Sequence, residues 1–303
     1  MPKPDMKNMA MPMPAHKVSP FELLPLFENR TLKAVDGEVG DLNYYIYDPV
    51  AHGADPNGKY PMILYFHGSQ MNLFENAAIL ATDMGIFASK EYQNLLGGNC
   101  YVVLPRANES REPNGFVKGS WGFWNGRDRV TERSVYLSTL KALVDELCAS
   151  GNVDPKRIAV GGCSAGGLMC WQFTIAYPDL CAASFPVAPI YIPTDEELDL
   201  LQEKKVPVWL VHGKDDELAR FDQLAGAIMP SLKAHDNVRV TVLDTVRYGD
   251  GRVVMMNMGK EVGQHQAQFA IGQNMLYNDG TPYDEAYPDG FIAWVNEAFA
   301  NNK

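Results

Sequence analysis

Short, continuous apolar runs alternate with stretches of helical spacing along this chain. The runs fall at residues 61–66, 99–105, 158–160, 181–187, 206–211 and 238–243. Strands covered by helices on both faces read this way, because neither face has to alternate with water. Ahead of them, 31–35 and 42–47 flank a glycine-bearing turn at 37–40 and predict a β-hairpin. Between the runs the period lengthens. Tyr136, Leu140, Leu143, Val144 and Leu147 recur at helical spacing and Gly151-Asn152 stops them. Further helices are predicted over 73–95, 168–177, 218–232 and 291–299. Such alternation predicts an α/β fold, with a mostly parallel central sheet and helices on both faces. No repeat or second linker interrupts it. The expectation is one domain over 21–303, preceded by an arm at 1–20 whose repeated prolines prevent a packed element.

In sheets of this kind ligands bind at the carboxyl ends of the strands. At one such end stands Gly162-Cys163-Ser164-Ala165-Gly166, between the 158–160 run and the helical stretch from 168. G-x-S-x-G between a strand and a helix is a nucleophile elbow, whose turn is so sharp that the flanking positions must nearly lack side chains. The plain alternative is a glycine-rich turn with a bystander serine. Centring the frame on Cys163 loses the second glycine, so the frame favours Ser164. Cys163 is then a small residue packed beside the site.

A serine hydroxyl attacks only when a positioned base takes its proton and a carboxylate orients that base. With an elbow of this type the order along the chain is serine, acid, histidine. The run at 206–211 leads into His212-Gly-Lys-Asp-Asp-Glu217. Asp216, four residues past His212 and just before the expected helix, is chosen over Asp215 and Glu217. These acids also suit the capping of that helix. Of the six histidines, His235 and His265 follow Asp216. His235 precedes a strand and so faces the amino edge of the sheet, whereas His265 sits in a loop between the last strand and the closing helix. His265 is therefore the expected base, and His212 a structural support of its loop. The amides of Ala165, at the start of the elbow helix, and of Ser69, after His67-Gly68, are the expected oxyanion donors. His67, Gly68, Cys163, Trp121 and Trp124 are the residues expected to line the substrate. The two tryptophans are read either as an aromatic wall or as packing of a long loop.

Charge and composition narrow the partners. A formal charge of −11 argues against nucleic acid or an anionic membrane as partner. No run approaches the roughly twenty apolar residues that span a bilayer. Residues 1–14 lack the apolar core of a secretory signal. The five cysteines have neither C-x-x-C nor zinc spacing, so buried free thiols in a reducing, cytoplasmic setting are expected, with no metal.

With these residues in place, the chain resembles the α/β-hydrolase superfamily, and within it the branch of polyhydroxybutyrate-depolymerase-like and feruloyl-esterase-like proteins and predicted peptidases. The resembling stretches are 60–69, 153–169, 177–187 and 206–216. The resemblance implies the α/β-hydrolase fold and a serine esterase without cofactor. Its triad would be Ser164, Asp216 and His265, and its oxyanion hole the Ser69 and Ala165 amides. It implies a small-molecule or carbohydrate-linked ester as substrate, such as feruloyl or acetyl esters of plant carbohydrates. A peptidase of the same fold and a non-catalytic binding protein are the alternatives. Two segments depart from the family pattern as insertions near the active-site edge, 107–129 and 247–288.

Overall fold

The six apolar runs lie side by side in one sheet. The computed structural model describes residues 18–35, 39–69, 76, 79, 84–108, 110–111, 117–118, 121, 133–257 and 259–302. The hairpin strands are β1 (Glu28–Leu32) and β2 (Leu42–Tyr47), and the runs form β3 (Tyr60–Phe66), β4 (Tyr101–Arg106), β5 (Val153–Cys163), β6 (Ala183–Val187), β7 (Val208–Gly213) and β8 (Val238–Leu243). Their order across the sheet is β1-β2-β4-β3-β5-β6-β7-β8. Only β2 runs against its neighbours; every pairing from β4 to β8 is parallel. The first hairpin strand sits earlier than the predicted 31–35. It is an edge strand, mostly exposed but with Leu32 buried, matched to β2 by the Thr31–Asn43 side-chain hydrogen bond and by the buried pair Leu32 and Leu42.

Successive residues of the central strands feed two cores, as the twofold period of a strand requires. On β3, Ile63 and Tyr65 join one core, while Met62, Leu64 and Phe66 join the other. The first core is closed by α1 (Lys90–Leu95), α6 (Gln268–Gly272) and α7 (Phe291–Asn301), through Tyr92, Phe269, Phe291 and Trp294. The second is closed by α2 (Leu137–Ala149), α3 (Ala165–Ala176) and α4 (Asp195–Glu203), through Leu140, Val144, Met169, Trp171 and Leu198.

Two helical expectations change, and one further helix is unexpected. Within 73–95, the described helix is α1, capped by Ser89, whose side chain accepts from the Tyr92 amide; a 3-10 turn, Met84–Ala88, precedes it. Over 218–232 two 3-10 turns lead into the short α5 (Met229–Ala234). Gly226 lies against the Phe221 carbonyl, and Pro230 tolerates only the first turn of a helix. The helix α4 has no counterpart in the apolar pattern. Its signature is a capping box, in which Thr194 accepts from the Glu197 amide and Glu197 from the Thr194 amide.

The segment 247–288, expected as an insertion, contains a hairpin, Met255–Asn257 with Lys260–Val262, followed by α6 and a long return to α7. Among the described residues no helix is long and apolar enough to cross a membrane.

Candidate active site

Ser164 is the single residue between the end of β5 and the start of α3, and it turns the chain with φ 60° and ψ −118°. A side-chain-bearing residue adopts such angles only at a cost of about 1–3 kcal/mol. Its neighbours impose them. The Ser164 amide donates to Val187 O at 3.0 Å, which holds the turn against β6, and its carbonyl takes the Leu168 amide at 3.0 Å. Gly162 and Gly166 are where the turn closes. A Cβ on Gly162 would run into the Gly166 carbonyl, and one on Gly166 into the Phe66 carbonyl.

Cys163 directly precedes this turn. It is buried, and its thiol donates to Gln268 Oε1 at 3.1 Å. Burial, assisted by the charge of Asp216, pushes its pKa far above the ordinary thiol range. The thiol stays neutral and packed beside the elbow.

β7 leads to a buried carboxylate. Asp216 is buried in the loop that follows Gly213. Its Oδ1 accepts from the amides of Leu218 and Ala219, both at 2.8 Å, and its Oδ2 accepts from His265 Nδ1 at 2.8 Å. Burial alone would raise its pKa. Hydrogen bonds from His212, His265 and the Leu218 amide outweigh burial and hold the carboxyl well below the usual carboxylate range. A carboxylate only accepts, so the hydrogen of His265 is on Nδ1 and Nε2 keeps a lone pair. That tautomer is the one a general base needs. His212 is fully buried; its Nε2 donates to Ala219 O at 2.7 Å and stands 3.4 Å from Asp216 Oδ2. It supports the acid's loop.

The loop carrying His265 is pressed between β7 and the elbow. The Gln264 carbonyl lies so close to Gly213 that a Cβ there would collide with it, while Gln268 reaches Cys163. Ser164, Asp216 and His265 are thus gathered at the carboxyl edge of one sheet. His235 lies at the other edge, between Ser231 O at 2.7 Å and Asp199 Oδ1 at 3.1 Å. That edge also carries a cavity of about 520 Å³, lined by Lys205, Asn237, Arg239 and Trp294 among others, which none of the three residues touches.

At the end of β3, His67 is buried and its two nitrogens are assigned by their partners. Nε2 accepts from the Ala107 amide at 3.0 Å, so Nδ1 carries the hydrogen and donates to Gly68 O at 2.6 Å. Because a trans peptide holds its C=O and N–H in opposite directions, this bond also aims the Ser69 amide away from His67. Gly68 packs on the elbow, where a Cβ would stand 3.5 Å from Ser164 Cβ. The Ala165 amide is in the first turn of α3, where amides have no intrahelical acceptor. Burial, with a smaller push from Arg106, lowers the His67 pKa to about 4, against the raising effect of its Gly68 bond. His67 is a neutral strut behind this loop, with both ring nitrogens engaged by the main chain.

Trp121 takes the second of its two readings, packing. It is fully buried, donates Nε1–H to His67 O at 2.7 Å and packs 5.3 Å from the Phe66 ring. It braces the β3 end and presents no wall. Trp124 lies outside the described residues.

A family model described as phospholipase/carboxylesterase matches residues 78–244, more than half of the chain. The chain belongs to the phospholipase/carboxylesterase family of α/β-hydrolases. Carboxylesterase membership agrees with a sheet that brings a glycine-framed serine and a carboxylate–histidine pair to one edge. Poly(3-hydroxyalkanoate) depolymerase C of Paucimonas lemoignei is 30% identical over 88 residues, which is 29% of this chain and 20% of that protein's length. The chain therefore aligns with about a fifth of that relative. The crystal structure of a thermostable esterase superposes with a TM-score of 0.67 at 21% identity, over 91% of this chain and 64% of its own. A structure of FAE gives 0.53 at 17% identity, over 77% and 86%. At these identities the likeness is one of fold, and the fold is that of the α/β-hydrolases.

One polar group of this site has a different place from the one the sequence suggests. Glu217 enters above as a rival acid. Its carboxylate instead accepts from the amides of Gly263 at 2.7 Å and Gln264 at 3.0 Å. No local pattern announces a contact between residues so far apart in the chain.

Proposed function

We propose that this carboxylesterase works through an acyl-enzyme on Ser164, with His265 as base and Asp216 as the acid that orients it. Ser164 Oγ attacks the ester carbonyl while His265 Nε2 takes its proton. The negative oxygen of the tetrahedral intermediate is held by the Ala165 and Ser69 amides, donors that need no reorganisation when charge develops. The imidazolium, steadied by Asp216, gives its proton to the departing alkoxide. Water then repeats the sequence and releases the acid. The observation that carries this reading is the buried 2.8 Å contact between His265 Nδ1 and Asp216 Oδ2, which leaves Nε2 as the basic nitrogen.

The finer substrate class is a feruloyl or acetyl ester of a plant carbohydrate. It rests on the sequence likeness of the elbow, acid and oxyanion stretches to feruloyl-esterase-like proteins. With Trp121 buried, no described tryptophan supports a preference for aromatic acids.

Ser164→Ala is expected to lower kcat for p-nitrophenyl acetate by about four to six orders of magnitude with an unchanged Tm. Turnover near that of the wild type would overturn the nucleophile. His265→Ala should be comparably inactive and His235→Ala normal; the reverse pattern would remove His265. A panel of feruloyl, acetyl and polyester substrates, with peptide amides beside them, tests the substrate class.

A further inference from the structure

From the two amides that meet its carboxylate, we infer that Glu217 is a positioning residue, gripping the main chain next to His265 so that the imidazole stays aimed at the elbow. The inference rests on His265 being the base. The ring of His265 is tied to the loop of β7 through one nitrogen, Nδ1. A ring held at one atom still pivots about that bond unless its backbone is fixed. Glu217 supplies the fixing: Oε1 takes the amide of Gly263 and Oε2 that of Gln264, the residue directly before His265.

The geometry makes the grip specific. Gly263 is in the left-handed region, at φ 83°, and a Cβ there would stand 3.0 Å from Val254 Cγ1. This backbone turns two successive N–H groups toward one carboxylate. Asp216 and Glu217 are consecutive, so one holds the imidazole while the other holds the chain that bears it. The distance between acid and base is then set within a two-residue bracket. On the far side, Gln264 Oε1 takes the Val246 amide at 2.6 Å and Gln268 reaches Cys163. Those contacts anchor side chains, whereas Glu217 anchors the main chain itself. Glu217 is exposed, and exposed carboxylates contribute little to global stability. Its effect should therefore appear in turnover rather than in folding.

The test compares Glu217→Ala and Glu217→Gln, each alone and in a His265→Ala background, by p-nitrophenyl acetate kinetics and thermal melting. Glu217→Ala is expected to lower kcat by about 10- to 100-fold, the scale of a small misplacement of a catalytic group. KM should stay within about twofold and Tm within a few degrees. Glu217→Gln keeps an accepting oxygen and should recover part of the loss. In the His265→Ala background, Glu217→Ala should cost nothing further, because the group it positions is gone. A wild-type kcat for Glu217→Ala, beside an inactive His265→Ala, would overturn the proposal and leave the base assignment standing. An equal fractional loss in both backgrounds would also overturn it, as would failure of Glu217→Ala to fold. High activity in His265→Ala alone would instead remove the base on which the proposal rests.

Discussion

His67 shows how much one buried imidazole can do without touching a substrate. It joins β3 to the segment after β4 through the Ala107 amide, and it turns the Gly68–Ser69 peptide. The Ala107 bond requires the neutral ring, with its hydrogen on Nδ1, because Nε2 must accept. Below its ordinary value of 6.5 the unfolded chain takes up a proton at this ring, while the folded chain refuses it until about pH 4. The unfolded state then binds more protons, so this contribution to stability is complete above pH 6.5 and drains away as pH falls toward 4. About 3 kcal/mol is at stake, at 1.36 kcal/mol per pH unit. Urea denaturation at pH 7 and pH 4.5 should show the wild type losing about 2–3 kcal/mol more than His67→Gln over that interval. Equal losses would mean that the imidazole protonates as freely in the folded protein as in the unfolded one.

Among elements, α4 carries the clearest prediction. Thr194→Ala removes one half of its capping box and should cost about 1 kcal/mol in denaturation, with kcat unchanged; a normal midpoint would show that the cap carries none of the helix's stability. The same helix marks the limit of what the sequence discloses. Strands β3 to β8 are legible because burial on both faces leaves unbroken apolar runs. The elbow is legible because backbone collisions at Gly162 and Gly166 exclude every larger residue. By contrast α4 buries only Leu198 and Leu201, so its apolar stripe is too thin to see among acids. The 218–232 stretch has helical spacing, yet Gly226 and Pro230 divide it into turns, a local choice that outweighs periodicity. Asp216 and His265 are readable from chain order. The amide grip of Glu217 is not, since it joins two loops that only the assembled sheet brings together. Trp121 misleads for a related reason: an insertion rich in Gly and Trp resembles a binding loop until its indole is found bonded to the His67 carbonyl.

For the molecule as a whole, the 247–288 segment bears His265, the proposed base, and is also tied down well away from it. Asp284 accepts from Arg239 Nε at 2.9 Å and Thr241 Oγ1 at 2.8 Å on β8, and Thr241 in turn accepts from Trp209 on β7 at 2.9 Å. The Arg239 guanidinium lies 3.8 Å over the Tyr287 ring. Tyr92 on α1 donates to Gly272 O at 2.6 Å, and Asn274 takes the Ile292 amide at 2.7 Å. The segment is thus built into the body of the protein on the sheet's first core. Asp284→Ala should lower stability by about 1–2 kcal/mol, allowing for its partial exposure, and leave kcat/KM within about twofold. A large kcat loss without destabilisation would mean that the far end of the insertion governs the base. The strand order has a consequence for how the protein is made. β3 is complete at Phe66, but one of its two partners, β5, begins only at Val153. At typical synthesis speeds of about 5–20 residues per second, the emerging chain carries a fully apolar strand with an unpaired edge for several seconds. An unpaired strand edge is a template for pairing with another chain, so the interval before β5 emerges is the window in which nascent molecules on one polysome are exposed to misassociation.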